Sequence, residues 1–534
     1  MTRWWMCLSR LVIALTIVGT PWRAIAAVPP SSTPDAVYRE VVRSGYLRGV
    51  EIVGDFDLSR LRAPAGVTRV VLQDVQVNGR VYASANGPAV PLTIEGSTLQ
   101  KLDLSGARLR AGFTLDNSTI QGLVHFDDAQ FDGPVVLHGG TIAGGAVFRR
   151  VHFGAAVEIT TQFDKPAGTS GDVSFADAHF AGPARFDRSR FSGGVRFDSS
   201  RFEADASFLG LVVAGLASWR NVIFSGDAEF RFCQLGDVDF GEAKPMTAFA
   251  GLTVFAGLAD FRGCTMRSAH FDYVDGRGDM MLVNVQVTPG DLTLRQAALR
   301  GGRSDLTGLR VTGRLDLEGA NISALQFRWP ELAPPLQRAG ASSEVLRPLY
   351  YRLDALQQKE EALGAWATLA EQLFRERIVD PNTDVAETAR LWLEWWVWGC
   401  PTGYGTQLGR IALLTLVAWL LLSLPVVLWR GMRLGYWRGP LDEAPPRHRP
   451  APPDALKIQR VTAADRRLQL LAYSFGLMLA TPGLRLRLAE PLSRGLQIHL
   501  AVMRGVGALF LALLALTLAN VSPVFQAILG RVVG

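Results

Sequence analysis

Several groups in this 534-residue chain have types and spacings that could do chemistry. Thr402-Gly403-Tyr404-Gly405 is close to the T-V-G-Y-G run of a potassium filter, where backbone carbonyls replace an ion's hydration shell. This copy lacks the Val and precedes the first long apolar run, whereas a filter follows a pore helix between two spans. We read it as a turn where the chain meets the membrane. The apolar run 468–480 is better placed for a pore, between two spans. About 13 residues are too few to cross a bilayer, and suit a re-entrant, packed or interfacial segment. The residues after it, Ala480-Thr481-Pro482-Gly483-Leu484-Arg485, contain no G-Y-G.

Three histidines, His125, His152 and His179, each precede a large apolar residue and should point outward. Their separation does not match the period of the surrounding repeat, so no metal site is expected unless an insertion realigns them. Cys233 and Cys264 replace Ala or Ser two positions before Leu235 and Met266. The spacing puts them on opposite sides of a coil, as small core residues without a disulfide. Cys7 lies in the leader and Cys400 beside the first span. Arg185, Asp187, Arg190, Arg196, Asp198 and Arg201 alternate in sign, which suits a solvated face and leaves room for an interaction surface. No nucleophile elbow, P-loop, dinucleotide fingerprint or paired Cys/His metal motif occurs. No catalytic residue, cofactor-binding residue, metal ligand or cofactor is therefore assigned, and the chain is not read as an enzyme. The enzymatic alternative is a groove on a solenoid, as in carbohydrate-active β-helices.

The element that positions these residues is a ladder. From Leu99 to Ile159 a large apolar residue recurs at steps alternating five and six: Leu104, Leu109, Leu115, Ile120, Phe126, Phe131, Leu137, Ile142, Phe148 and Phe153. After an insertion at 166–171 it resumes at Phe175, Phe180, Phe186, Phe191, Phe197, Phe202, Phe208, Val213, Trp219, Phe224 and Phe230. A looser version reaches Leu317 and Ile322. Neither an α-helix nor an alternating strand has this period. Two residues before most ladder positions sits a small or β-branched residue, as at Ala107, Ser118, Ala129, Ala178, Ala184 and Ser200. Both point inward, because side chains two apart share one side of an extended segment. In many of the six-residue steps a glycine follows the ladder residue by two, at Gly122, Gly133, Gly144, Gly182, Gly193, Gly226, Gly257 and Gly313, and it is expected to supply positive φ at a corner. Coils of this kind stack, each burying its apolar residues on its neighbours.

Ala107-Arg108-Leu109, Ala178-His179-Phe180 and Ala184-Arg185-Phe186 resemble the A-(D/N)-L-x-x pattern of the pentapeptide-repeat family. The departure is one extra residue in alternate repeats, which makes an 11-residue unit. The resemblance implies a right-handed parallel β-solenoid, and four faces per coil would take 22 residues. Residues 99–325 then give about ten turns and a rod of roughly 50 Å. Membrane proteins of that family often join the solenoid to a two-helix region similar to a potassium channel, here degenerate. Some members carry a DNA-mimicking acidic surface, which the mixed charge argues against.

These patterns set the boundaries. Residues 1–26 are a signal peptide: Arg3 and Arg10 flank a short apolar run, and Ala24-Ile25-Ala26 supplies a cleavage site. If the run is retained as an anchor, the chain from residue 27 onward is still exported. Residues 27–65 are an N-terminal cap containing an amphipathic helix at 35–48 that hides open strand edges. The solenoid spans 66–326, and Pro330, Pro334 and Pro335 break the ladder and open a linker at 327–343. Residues 344–400 form a helical collar, two helices parted at Gly364 and a third from Asp384 into Trp392, Trp395, Trp396 and Trp398. Tryptophan suits the membrane–water boundary. A first transmembrane helix covers 401–430, a basic Pro-rich loop 431–467, the short apolar segment 468–504, and a second transmembrane helix and C-terminus 505–534.

Charge orients this plan. Residues 430–504 carry 13 Lys and Arg against 5 Asp and Glu, while 27–409 carry 37 against 44. The basic excess belongs to a membrane-adjacent loop and is no footprint for nucleic acid. It puts that loop in the cytoplasm, and an exporting leader demands the same. The expectation is a non-enzymatic inner (cytoplasmic) membrane protein, its solenoid in the periplasm as a scaffold or protein-interaction surface. A pore-forming transport protein with the solenoid outside the membrane is the alternative. Expected partners are the lipid bilayer, a protein docking on the solenoid, and further copies of the chain through the transmembrane region.

Overall fold

The computed structural model describes residues 31–83, 86–165, 172–241, 252–322, 324–381, 383–428, 471, 474, 475, 478 and 494–521. The leader 1–26, the loop 431–467 and most of 468–493 lie outside the described residues. The chain divides into two units, Met1–Ala341 and Ser342–Gly534.

The first unit is a parallel β-solenoid of about 12 turns. A regular coil has four short strands, as 184–202 shows, and strands pair in parallel with their counterparts in the neighbouring coils. One rung series runs through Gln76, Thr98, Thr119, Thr141 and Gln162, continuing to Arg190, Val212 and Gln234. Ala184, Ala206 and Ala228 superpose on the first face at the 22-residue repeat. At ~4.8 Å per turn the rod is roughly 60 Å long, because its first coils begin earlier than the regular ladder. Strands Ser31–Ser32, Tyr46–Arg48, Glu51–Ile52 and Phe56–Asp57 already pair into it, so within the region read as a cap at 27–65 the first coil of the solenoid has begun.

The interior is a set of vertical side-chain columns. On the third face Phe175, Phe197, Trp219, Phe240 and Phe271 stack nearly parallel, with centroid spacings of 4.8, 5.7, 4.9 and 4.9 Å. On the fourth, Phe153, Phe180, Phe202, Phe224 and Phe255 do the same. Columns meet edge to face, as Phe186 and Phe197 do at 5.0 Å and 80°. Both geometries suit the ring quadrupole.

The corners correct the glycine expectation. None of the eight glycines of the six-residue steps has positive φ. At seven of the eight a Cβ would come within 3 Å of an atom of the neighbouring coil: on Gly133 it would stand 2.6 Å from the Ala111 carbonyl carbon and 2.7 Å from the Gly112 nitrogen. Positive φ falls instead in the five-residue steps, immediately before the small inward residue. Asn117, Asp128, Asp177, Arg188, Ser199, Asn221 and Phe232 hold φ between 44° and 60°. Asn and Asp tolerate that region through local side-chain hydrogen bonding, while Arg188 and Phe232 accept strain. Two kinds of corner thus alternate around each coil, and the 11-residue unit is one of each.

Both ends are covered. Helix Pro34–Ser44 starts with Pro and Asp35 and ends at Gly45 with φ 69°, the residues that favour those positions. It buries Val37, Tyr38 and Val41 along one stripe. The Tyr38 ring stacks on Phe56 at 5.1 Å, and its hydroxyl accepts the Asp57 N–H at 2.7 Å. Tyr38→Phe is expected to cost about 1–2 kcal/mol by removing that buried acceptor, measured as a lowered midpoint in thermal unfolding. At the other end, residues read as a linker at 327–343 form helix Trp329–Ala339, with Pro330 in its first turn and Pro334 and Pro335 inside it. The helix closes the last coil: Arg338 donates to the carbonyls of Gly313 and Val311 at 2.8 Å, and Glu331 accepts the Gly308 N–H at 2.7 Å. Satisfying the open edge outweighs the prolines.

In the second unit, helices Ser343–Ala355 and Lys359–Val379 bury Leu346, Leu349 and Leu353 and Ala362, Ala365 and Leu369. They part at Gln357, with φ 58°, and Gly364 lies inside the second helix. Helix Val385–Glu394, capped by Asp384, continues into a π-helical turn, Trp395–Gly399. Among the described residues two helices are long and apolar enough to cross a membrane, within Leu408–Leu428 and Arg494–Val521. The second starts earlier than the boundary at 505, so Arg494, His499 and Arg504 belong to it rather than to the preceding short segment.

Candidate functional site

The outward side chains of the solenoid sort by face. On the third face and its corners, Asp and Arg form ties between coils. Asp127 accepts the Arg149 backbone N–H at 3.1 Å and its guanidinium at 2.9 Å. Asp272, almost fully buried, accepts the Arg295 N–H and guanidinium at 2.9 and 2.8 Å. Asp198 accepts the Arg220 N–H at 3.1 Å. Arg267 pairs with Asp237 one coil earlier and holds that carboxyl below the usual carboxylate range, while Asp272 raises Arg295. Most of these pairs are half-exposed, so each stabilises little through charge alone. Their carboxylate bonds to backbone amides hold each coil to the next at the corners. The alternating charges are largely occupied by the fold itself.

The second face is different. Between Gln76 and Gln286 its outward residues Thr98, Thr119, Thr141, Gln162, Val212, Gln234, Thr265 and Gln286 carry no charge and Arg190 is the exception, while Glu51 and Arg310 stand at the two ends of the series. Over its later coils lies an open groove of about 380 Å³, lined by Val212, Ala214, Gln234, Gly236, Thr265, Gln286 and Thr288 with Arg267. This low-charge strip is the candidate interaction surface. The sequence reading missed it by tracking charged residues. Taking the residue just before every fourth ladder position would have found it.

The insertion at 166–171 does realign two of the three histidines: His152 and His179 occupy one rung of the fourth face in successive coils. His125 lies on the third face. Among the described residues no group of three or more His, Cys, Asp or Glu is set to hold a metal ion. The cysteine expectation also changes. Gln234 pairs with Thr265, so Cys233 and Cys264 stack in adjacent coils rather than on opposite sides, because the 242–251 insertion lengthens that turn. Both are free and fully buried; their thiols donate to the carbonyls of Phe208 and Phe230 at 3.0 and 2.7 Å. Burial, above all, pushes the Cys233 thiol up, which suits an unreactive core residue.

In the second unit, Thr402-Gly403-Tyr404-Gly405 is a tight turn. Gly403, Tyr404 and Gly405 all have positive φ, at 56°, 55° and 82°. The Thr402 hydroxyl accepts the Gly405 N–H at 2.8 Å. Such a turn offers no row of carbonyls to an ion. Of 468–480, the described residues Leu471, Ser474, Phe475 and Met478 are helical. Ser474 bonds Trp419 at 3.1 Å and Ser423 at 2.7 Å, and Phe475 packs edge to face on Trp419. The segment packs against the first apolar helix. Phe374, Trp392 and Trp395 form an aromatic cluster, and Trp396 remains 64% exposed beside it.

Residues 170–212 match the sequence model of the family described as pentapeptide repeats (9 copies). They cover the most regular part of the ladder, from the coil after the first insertion to Val212. No curated protein matches the chain, and no solved structure does.

Proposed function

We propose that this chain is a non-enzymatic, membrane-anchored scaffold. Its solenoid stands on the periplasmic side of the inner membrane of a Gram-negative-like envelope and presents its low-charge second face to a protein partner. The observation that carries the scaffold reading is the contrast between faces. Charged side chains elsewhere are spent on ties between coils, whereas the Thr98-to-Gln286 strip has few intramolecular obligations and lies on a rigid stack. Interaction surfaces are commonly depleted in charge at their centre. Anchoring is supported by the two apolar helices, of which only 11% and 28% is buried within the protein. The remainder needs lipid or another copy of the chain. The side of the membrane is supported by the leader and by the basic excess of residues 430–504.

A pair of reporter fusions tests the arrangement. Alkaline phosphatase joined after Gly340 should be active, and green fluorescent protein joined within 440–450 should fluoresce, since the first matures only outside the cytoplasm and the second inside. A fluorescent fusion after Gly340 would place the solenoid in the cytoplasm and sink the reading.

A further inference from the structure

The fourth face holds a histidine pair that the tie pattern leaves unexplained. The five extra residues of the coil containing 166–171 bring His179 into register over His152, with Phe153 and Phe180 paired beneath them. The two Nδ1 atoms face each other at 2.9 Å, and the ring centroids are 4.8 Å apart. Two other outward histidines of the solenoid meet hydroxyls: His138 Nδ1 is 2.8 Å from Thr160 Oγ1, and His270 Nδ1 is 3.1 Å from Thr293 Oγ1. Here two ring nitrogens converge instead, and neither can supply more than one proton to the gap without charging its ring.

A carboxylate stands beside the other ring nitrogen of His179. Glu203 Oε1 stands 2.9 Å from His179 Nε2 and is steadied by Arg201 Nε at 3.5 Å. If the His179 proton lies on Nε2, on the carboxylate's side, its Nδ1 lone pair points into the gap. This is the carboxylate–histidine arrangement that orients imidazole ligands in metal sites. If His152 carries its own proton on Nε2, both lone pairs meet. Two nitrogens bound tetrahedrally at 2.0–2.1 Å stand about 3.3 Å apart, so the pair need open by only a few tenths of an ångström. The His179 side chain is 35% exposed, so an ion can enter and water can complete its shell.

We propose that His152 and His179 form a two-nitrogen site for a divalent transition-metal ion of the zinc and nickel class, with Glu203 as the positioning carboxylate. Imidazole selects such ions over magnesium and calcium, which prefer oxygen. The proposal does not depend on the side of the membrane or on the second-face reading.

Isothermal titration of the full chain in detergent, without a polyhistidine tag, tests it with zinc chloride, nickel chloride and magnesium chloride. One equivalent of zinc or nickel should bind, and magnesium should not. His152→Ala and His179→Ala should each abolish that event. Glu203→Gln should weaken it about 10-fold or more, and His125→Ala should leave it unchanged. An absent event in the wild type, or one that survives both alanine variants, overturns the proposal. Zinc K-edge absorption of the wild-type complex gives a reading independent of any variant's folding. Two imidazole nitrogens are expected, and a sulfur-containing or all-oxygen shell overturns the site.

Discussion

Replacing Phe180 by Ala is expected to cost the solenoid about 3–5 kcal/mol, the range for deleting a fully buried aromatic side chain. Phe180 is buried completely and stacks on Phe202 at 4.4 Å and 1° and on Phe153 at 5.0 Å and 15°, with Phe186 edge-on at 5.9 Å. A coil stack cannot close the resulting gap, because the strand spacing is set by hydrogen bonds above and below. The midpoint of urea unfolding, monitored by far-ultraviolet circular dichroism on the full chain in detergent, should fall markedly. Phe232→Ala is the control. Its ring is 63% exposed at a corner, and the midpoint should hardly move. Equal effects at the two positions would mean that the columns are not the main source of stability.

The second large effect is expected from one methyl group. In Gly133→Ala the new Cβ meets backbone atoms of the previous coil, Ala111 and Gly112, at 2.6–2.7 Å, with no flexible side chain to yield. The coil must shift, at a cost of about 2–3 kcal/mol from overpacking. Gly106→Ala makes the informative comparison. Gly106 has φ 65° but open space around it, so alanine there pays only the left-handed backbone, about 1–2 kcal/mol. In thermal unfolding Gly133→Ala should be the less stable variant. The opposite order would return positive φ to the glycines as their main reason.

The ladder itself was legible, since a spacing of five and six has no other common structural meaning, and the alternation Phe126, Phe131, Leu137 is visible by eye. Four faces and a 22-residue coil came with it, as Ala184, Ala206 and Ala228 bear out. Four things were hidden. The role of Gly133 depends on the distance between coils, which is absent from any single strand of sequence. Whether Cys233 meets Cys264, or His152 meets His179, depends on how many residues an insertion adds to one turn. Pro334 and Pro335 looked like breakers until the last coil's exposed carbonyls gave helix Trp329–Ala339 something to cover. The candidate surface was the least visible, because uncharged Thr and Gln attract no attention unless read one coil apart.

The alternation of corner types makes residue number a measure of height along the rod. Ala184, Ala206 and Ala228 occupy one column with the same side chain at each level. Excising residues 184–205 would rejoin Pro183 to Ala206 with every column restored, and shorten the rod by about 4.8 Å. Duplicating them would lengthen it by the same step. Selection can therefore tune how far the solenoid reaches, in increments of one coil, without redesigning a core. A molecule built this way is a ruler as well as a support.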